Sequence, residues 1–189
     1  MADERADRRT TRDDGHMARK NEQSTATVEN GGLRIIVDDL TGPEIAALLT
    51  EHLADMAAHS PQESVHARPL SALRDPAITV WTGWDEQHTL AGCIALQHHT
   101  REHAEIKSMR TAATHRRRGI ATLLLRHLLT EAAARGYRRL SLETGSPDFF
   151  EPARRLYAAH GFDYCAPFGD YRPDPYSVFM TRALPRDDM

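Results

Sequence analysis

The chain has 189 residues, 40% of them hydrophobic and 27% charged, with a formal net charge of −3 at pH 7. That length suits one domain with a sizeable core plus some spare chain. The charge gives no basic excess to hold nucleic acid, and no run of about 20 apolar residues offers a membrane span, so neither partner is expected.

The first 30 residues are polar, charged and aperiodic, too poor in apolar surface to order themselves. A disordered leader over 1–31 and a single domain over 32–189 are expected. The leader has no apolar segment of the secretory kind. Cys93 and Cys165 have neither metal nor disulfide spacing. Together these features favour the cytoplasm.

Leu33 to Val37 predicts a strand. Thr41, with Pro43 and Glu44 after it, predicts a capping box that opens a helix. The apolar face of that helix is Ile45, Leu48, Leu49, Leu53 and Met56, and His59-Ser60-Pro61 ends it. A short helical turn fits Leu70 to Leu73. Ala77 to Trp84 and Thr89 to Gln97 read as an antiparallel hairpin across Asp85-Glu86-Gln87, and Glu105 to Thr111 as a further strand. His98, His99 and His103 stand near Glu102 and Glu105 in what reads as a solvated hairpin turn. No cysteine joins them, so no metal is expected.

Ile120, Leu123, Leu124, His127, Leu128 and Ala132 share one face of the clearest helix, and Gly136 follows as its C-cap. Leu140-Ser141-Leu142 predicts a short buried strand. Pro152 to His160 predicts a helix stopped at Gly161. Asp163 to Ala166 and Ser177 to Met180 predict a strand pair. The alternation points to an α/β domain, a mixed sheet with helices on its faces.

Arg116-Arg117-Arg118-Gly119-Ile120-Ala121 lies between a strand and the strongest helix. A helix N-terminus offers unpaired N–H groups and a partial positive charge, which suit an anion. Gly119 lets backbone approach closely, Ala121 is small, and the arginines add charge at the rim. A pyrophosphate is a natural occupant; a solvated basic turn before an ordinary helix is the structural alternative. The pattern is neither a Walker A loop nor G-x-G-x-x-G.

These residues resemble the GNAT acetyltransferase superfamily. The family motif [Q/R]-x-x-G-x-[G/A] is matched by Arg116-x-x-Gly119-x-Ala121. Downstream, Ala153-x-x-Leu156-Tyr157-x-x-x-Gly161-Phe162 matches A-x-x-L-Y-x-x-x-G-F. The strand at Glu105–Thr111 resembles the family's fourth, and the likeness runs over roughly residues 33 to 183. One departure is Phe150, where many relatives carry an Asn that touches the cofactor.

The resemblance implies the GNAT fold: a mostly antiparallel sheet of six to seven strands, splayed between the fourth and fifth, with helices on both faces. It implies acetyl-CoA as co-substrate. The pantetheine arm would pair with backbone of Met109 and Thr111. The diphosphate would rest on N–H groups of Arg117, Arg118, Gly119 and Ala121, with Arg116 and Thr122 beside it. Glu105 occupies the place of a general base in some relatives, although a strand-end Glu also suits an ordinary surface. Tyr157 stands where the family often keeps a proton donor for the departing thiolate, although it also suits plain packing. Met109 N–H would face the oxyanion.

The acceptor end is less specific. Gly169-Asp170-Tyr171-Arg172-Pro173-Asp174-Pro175 is polar, aromatic and stiffened by two prolines. Arg172 suits a substrate carboxylate and Asp170 a cationic amine. Glu143, after the fifth strand, also suits the acceptor side. The expected reaction is acetylation of a primary amine on a small molecule. A protein lysine or N-terminus is the alternative acceptor, and a non-catalytic acyl-CoA sensor the alternative function. Relatives are often dimers, so a homodimer is a further expectation.

Overall fold

A computed structural model describes residues 28–30, 32–64 and 66–185. The strands are β1 (Val28–Asn30), β2 (Leu33–Val37), β3 (Ile78–Trp84), β4 (Leu90–Thr100), β5 (His103–Thr111), β6 (Arg139–Gly145), β7 (Asp163–Cys165) and β8 (Ser177–Ala183). The helices are α1 (Pro43–His59), α2 (Leu70–Leu73), α3 (Ile120–Ala134) and α4 (Glu151–Ala159). One sheet runs in the order β1-β2-β3-β4-β5-β6-β8-β7. The β5–β6 pair is parallel and every other pair antiparallel.

The seven strands read from the sequence are all present. The eighth, β1, pairs Val28 with Ile35 and Asn30 with Leu33, so this stretch of the expected leader adds an edge strand. The rest of that leader, residues 1–27 and 31, lies outside the described residues.

Period-two alternation sends β3 and β4 side chains to two different cores. Trp81, Ile94 and Leu96 pack with Leu124, Leu125 and Leu128 of α3 and with Tyr157 of α4. Val80, Cys93 and Ala95 pack with Ile45, Leu48 and Leu49 of α1 and Leu73 of α2. Helices therefore cover both faces. Leu124, Leu125 and Leu128 are fully buried, and each contributes about 1.5–3 kcal/mol of hydrophobic stabilisation.

The start of α1 differs from expectation. Gly42 is its N-cap, Pro43 its first residue, and no side chain caps it. Asp39 accounts for this: its Oδ1 accepts the Thr41 N–H at 3.0 Å and the Thr41 hydroxyl at 2.6 Å, so the threonine is spent in a local turn. The His98–His103 segment also differs. β4 runs on to Thr100 and β5 begins at His103, which leaves a two-residue turn. The histidines are paired rather than merely solvated: His98 with the Tyr137 hydroxyl at 2.8 Å, His99 with Glu105 at 2.7 Å, and His103 with Ser141 at 2.8 Å.

Among the described residues no helix is long and apolar enough to cross a membrane. No group of three or more His, Cys, Asp or Glu among them is arranged to hold a metal.

Candidate active site

The parallel ladder between β5 and β6 runs from His103↔Arg139 to Ile106↔Leu142 and stops there. Beyond Ile106 the strands part, as expected of the fourth and fifth strands of the fold, and a cavity of about 500 Å³ opens between them. On its other side β5 loses register with β4. Cys93 faces Arg110 and Ala95 faces Lys107, so Ser108 and Met109 have no ladder partner. Ser108 takes φ +47, the left-handed conformation that a bulge demands. Met109 thus presents backbone to an open gap, which is what an extended amide-bearing ligand needs in order to add itself as a strand. Met109 and Thr111 both line the cavity.

The cavity runs to Arg116 and Ala121 at the mouth of α3. Arg117 and Gly119 both have positive φ, +61 and +79, and turn the chain tightly into the helix. The first helical bond is Leu123 N–H to Gly119 C=O at 3.1 Å, so the preceding amides of Ile120, Ala121 and Thr122 have no helical acceptor. No side chain caps α3, and its first turn holds no acid. Nothing lies within 4 Å of where a Cβ on Gly119 would stand. Room and donors for a diphosphate therefore coincide. Arg116, Arg117, Arg118 and Gly119 are exposed around it, and Thr122 is half-buried. His115 anchors the turn: its Nε2 lies 2.9 Å from Asp85 Oδ2 and its Nδ1 2.9 Å from the Thr114 hydroxyl.

Phe150, at the departure from the family pattern, fills space rather than offering a polar contact. It is buried, and a Cβ on Gly145 would overlap its ring. Its neighbour Phe149 stacks on His59 of α1 at 3.6 Å and 13°.

Tyr157, on α4, is buried and points its hydroxyl at Met109 Sδ, 3.3 Å away. Burial, then the nearby Glu143 carboxylate, push the phenol above its ordinary pKa, so it holds its proton at neutral pH. Glu143, on β6, faces the same cavity. Burial raises its pKa to about 7, against the opposing pull of the Ser177 hydroxyl and Lys107; Glu105 and Asp174 add to the rise. Ser177 Oγ donates to Glu143 Oε1 at 2.7 Å, and Oε2 has no partner among the described residues. Sequence reasoning placed Glu143 on the acceptor side but gave no sign of this shift, which arises from burial.

Glu105 is not a surface carboxylate. It is 1% exposed, and both oxygens are engaged. His99 Nε2 lies 2.7 Å from Oε2; the Tyr171 hydroxyl donates to Oε1 at 2.7 Å, and Lys107 Nζ is also 2.7 Å from Oε1. Lys107 donates in turn to the Tyr171 oxygen.

Glu105, Asp170 and Arg172 line a second cavity of about 560 Å³. The first contains neither Asp170 nor Arg172, so the structure separates them from Glu143. His66 and Lys107 line both cavities and form their shared wall. Sequence reasoning missed Lys107 and Arg68, which carry no motif of their own.

Residues 45–162 match the Acetyltransferase (GNAT) family. The chain is 55% identical over 152 residues to YsnE of Bacillus subtilis, an uncharacterized N-acetyltransferase, covering 80% of this chain and all of that one. An assigned acyl-CoA N-acyltransferase from Klebsiella pneumoniae has a similar structure, with TM-score 0.67 and 26% identity over 82% of this chain and 99% of its own. A GNAT acetyltransferase from Elizabethkingia anophelis, solved with acetyl-CoA bound, shares the fold with TM-score 0.59 and 18% identity, covering 82% of this chain and all of that one. With a bulged strand facing a splayed neighbour, an open helix mouth at Gly119 and this match through both of its motifs, the chain belongs to the GNAT family of acetyltransferases and is an acyltransferase.

Proposed function

We propose that the enzyme moves an acetyl group from acetyl-CoA to a primary amine of a small molecule, with Glu143 as general base and Tyr157 as general acid. The reading rests chiefly on one observation: a carboxyl with pKa about 7 and a protonated buried phenol face the same gap beside Met109.

Acetyl-CoA supplies a thioester carbonyl as the acyl donor. The helix mouth from Arg116 to Thr122 holds the diphosphate through backbone N–H groups, and the end of β5 at Met109 and Thr111, parted from β6, aligns the arm. Met109 N–H stabilises the oxyanion of the tetrahedral adduct. Most amines are protonated at pH 7, so the amine first loses one proton to solvent, and the attacking nitrogen must shed a second as the C–N bond forms. Glu143 takes it, and a base with a pKa near the working pH is suited to that task. Tyr157 gives its proton to the sulfur as the C–S bond breaks. Glu105, with both oxygens occupied, holds Lys107 and Tyr171 in place.

A second reading keeps Glu105 as the base, with His99 as its relay, because the His99 ring is 29% exposed and 2.7 Å from the Glu105 carboxylate. Comparing Glu143→Gln with Glu105→Gln and His99→Ala separates the two. Under the first reading Glu143→Gln removes the neutral-pH limb of the rate profile; under the second, that variant keeps the limb, and Glu105→Gln and His99→Ala lose the activity.

CoA release from acetyl-CoA, measured across small amines, amino acids and lysine peptides, tests the function. Release with a small amine is expected. Release with peptides alone would move the acceptor to a protein, and tight acetyl-CoA binding without release for any amine would make the domain a sensor.

A further inference from the structure

The second cavity has a charge pattern of its own. Its acids are Glu105, Asp170 and Asp174, and its fixed cations Lys107, Arg68 and Arg172, with His66 and His99 beside them. Two acids are committed. Glu105 is held by Lys107, Tyr171 and His99. Asp174 accepts the Ser64 hydroxyl at 2.8 Å and the Tyr176 N–H at 2.7 Å. Lys107 is correspondingly spent on Glu105. Of these acids and fixed cations, the ones left without a hydrogen bond or ion pair among the described residues are Arg68, Arg172 and Asp170. Asp170 and Arg172 are exposed, whereas Arg68 is half-buried.

Arg68, half-buried and with no acceptor among the described residues, has given up water and can gain a ligand oxygen in exchange. Arg68 lines the same cavity as Tyr171. Phe168 and Tyr171, 5.2 Å apart at 70°, give the same cavity an aromatic wall. Two cations from separate loops against such a wall match a planar anion on an organic body, and a guanidinium pairs with a carboxylate in bidentate fashion.

Resting on the proposed reaction, we infer that the acceptor is an amino acid in the broad sense, one molecule bearing an amine and a carboxylate. Its amine lies at Glu143 in the first cavity and its carboxylate at Arg68, seconded by Arg172, in the second. The body passes the wall formed by His66 and Lys107. Arg68 is then a specificity residue.

The full-length protein is assayed for CoA release with α- and ω-amino acids, each beside its own primary amide. An acid favoured over its amide by about tenfold or more in kcat/KM is expected. Arg68→Gln should raise KM for the acid by about 10- to 100-fold, the usual scale for losing a hydrogen bond to a charged group, with kcat changed much less, and should bring the acid-to-amide ratio toward one. Arg68→Lys should restore part of the preference. Calorimetric titration of the same carboxylates into wild type and Arg68→Gln reads the site without turnover. Binding that depends on Arg68 but yields no CoA release would retire the acyl-transfer reading and leave the carboxylate site standing. Amides used as well as acids, or no carboxylate binding to the wild type, would overturn the inference.

Discussion

At the scale of single residues, the site turns on carboxyl and phenol groups whose charged forms are penalised by burial. For Glu143 this brings titration to about 7. The basic form grows as pH rises through that value, so kcat should climb across neutrality and level off above it. Initial rates from about pH 5.5 to 9 would show this limb, and a flat profile would remove Glu143 from the chemistry. Glu143→Gln should lower kcat by about 10²- to 10⁴-fold near pH 7.5. The same shift has a stability consequence. The folded state keeps a proton that the unfolded chain releases around its ordinary 4.5. The folded protein therefore binds more protons between about 4.5 and 7, and stability falls as pH rises through that window. Glu143→Gln should accordingly melt higher than wild type at pH 8, with the advantage gone near pH 4. Tyr157→Phe should lower kcat by about ten- to a thousand-fold while leaving acetyl-CoA affinity close to wild type; unchanged turnover would assign the proton donation elsewhere.

At the scale of elements, two irregularities build the site, and neither is visible in residue pattern. The bulge in β5 gives Ser108 a left-handed backbone, yet Glu-Ile-Lys-Ser-Met-Arg-Thr reads as an ordinary strand, because a bulge is decided by what the neighbouring strand does. The depth of Glu105 is equally hidden. Its place near a strand end suggests solvent, and only the extension of β4 to Thr100 and the approach of Tyr171 from a distant loop bury it. What was legible was local and periodic. The alternation of β3 and β4, the apolar face of α3, and the Gly119 and Gly161 turns follow from side-chain period and backbone permissiveness. The capping box at Thr41 misled because Asp39 is a nearer partner for the same groups. The end of β6 is another element-scale constraint. Gly145 lies against the Phe150 ring, and Arg154 Nη1 donates to the Gly145 carbonyl at 2.7 Å, so neither side can withdraw easily. Gly145→Ala should cost about 1–3 kcal/mol as overpacking, seen as a melting point lower by about 2–10 °C. A melting point equal to wild type would mean that the Phe150 ring has room to move.

At the scale of the whole molecule, α1, β5, β6, α3 and α4 all contribute to one cavity, so a ligand lodged there is expected to tie them together. Arg110 of β5 pairs with Asp55 of α1 at 2.8 Å, which already links the wall to the helix above it. Acetyl-CoA at about a hundred times its Kd should add roughly 2.7 kcal/mol to the folded state, raising the melting temperature by about 5–10 °C. Gly119→Glu, which puts bulk and negative charge into the cradle, should abolish this shift while leaving the unliganded protein folded. A full shift in that variant would place the diphosphate elsewhere. The succession of strands and helices along the chain and the mixed α/β layering were legible because they follow from side-chain period. The division of the acceptor side into two chambers was not, since it depends on loops some hundred residues apart, around Arg68 and Arg172.

The wall that His66 and Lys107 lend to both chambers carries one more implication. Room for the acceptor on both sides of that partition, with the donor's arm in the first chamber, lets the two reactants lodge together, and the acyl group then passes directly to the amine without first resting on the protein. Such an enzyme passes through a ternary complex. Double-reciprocal plots of velocity against one reactant, at several fixed levels of the other, should therefore converge; parallel lines would mean that the acyl group pauses on a side chain between two separate visits.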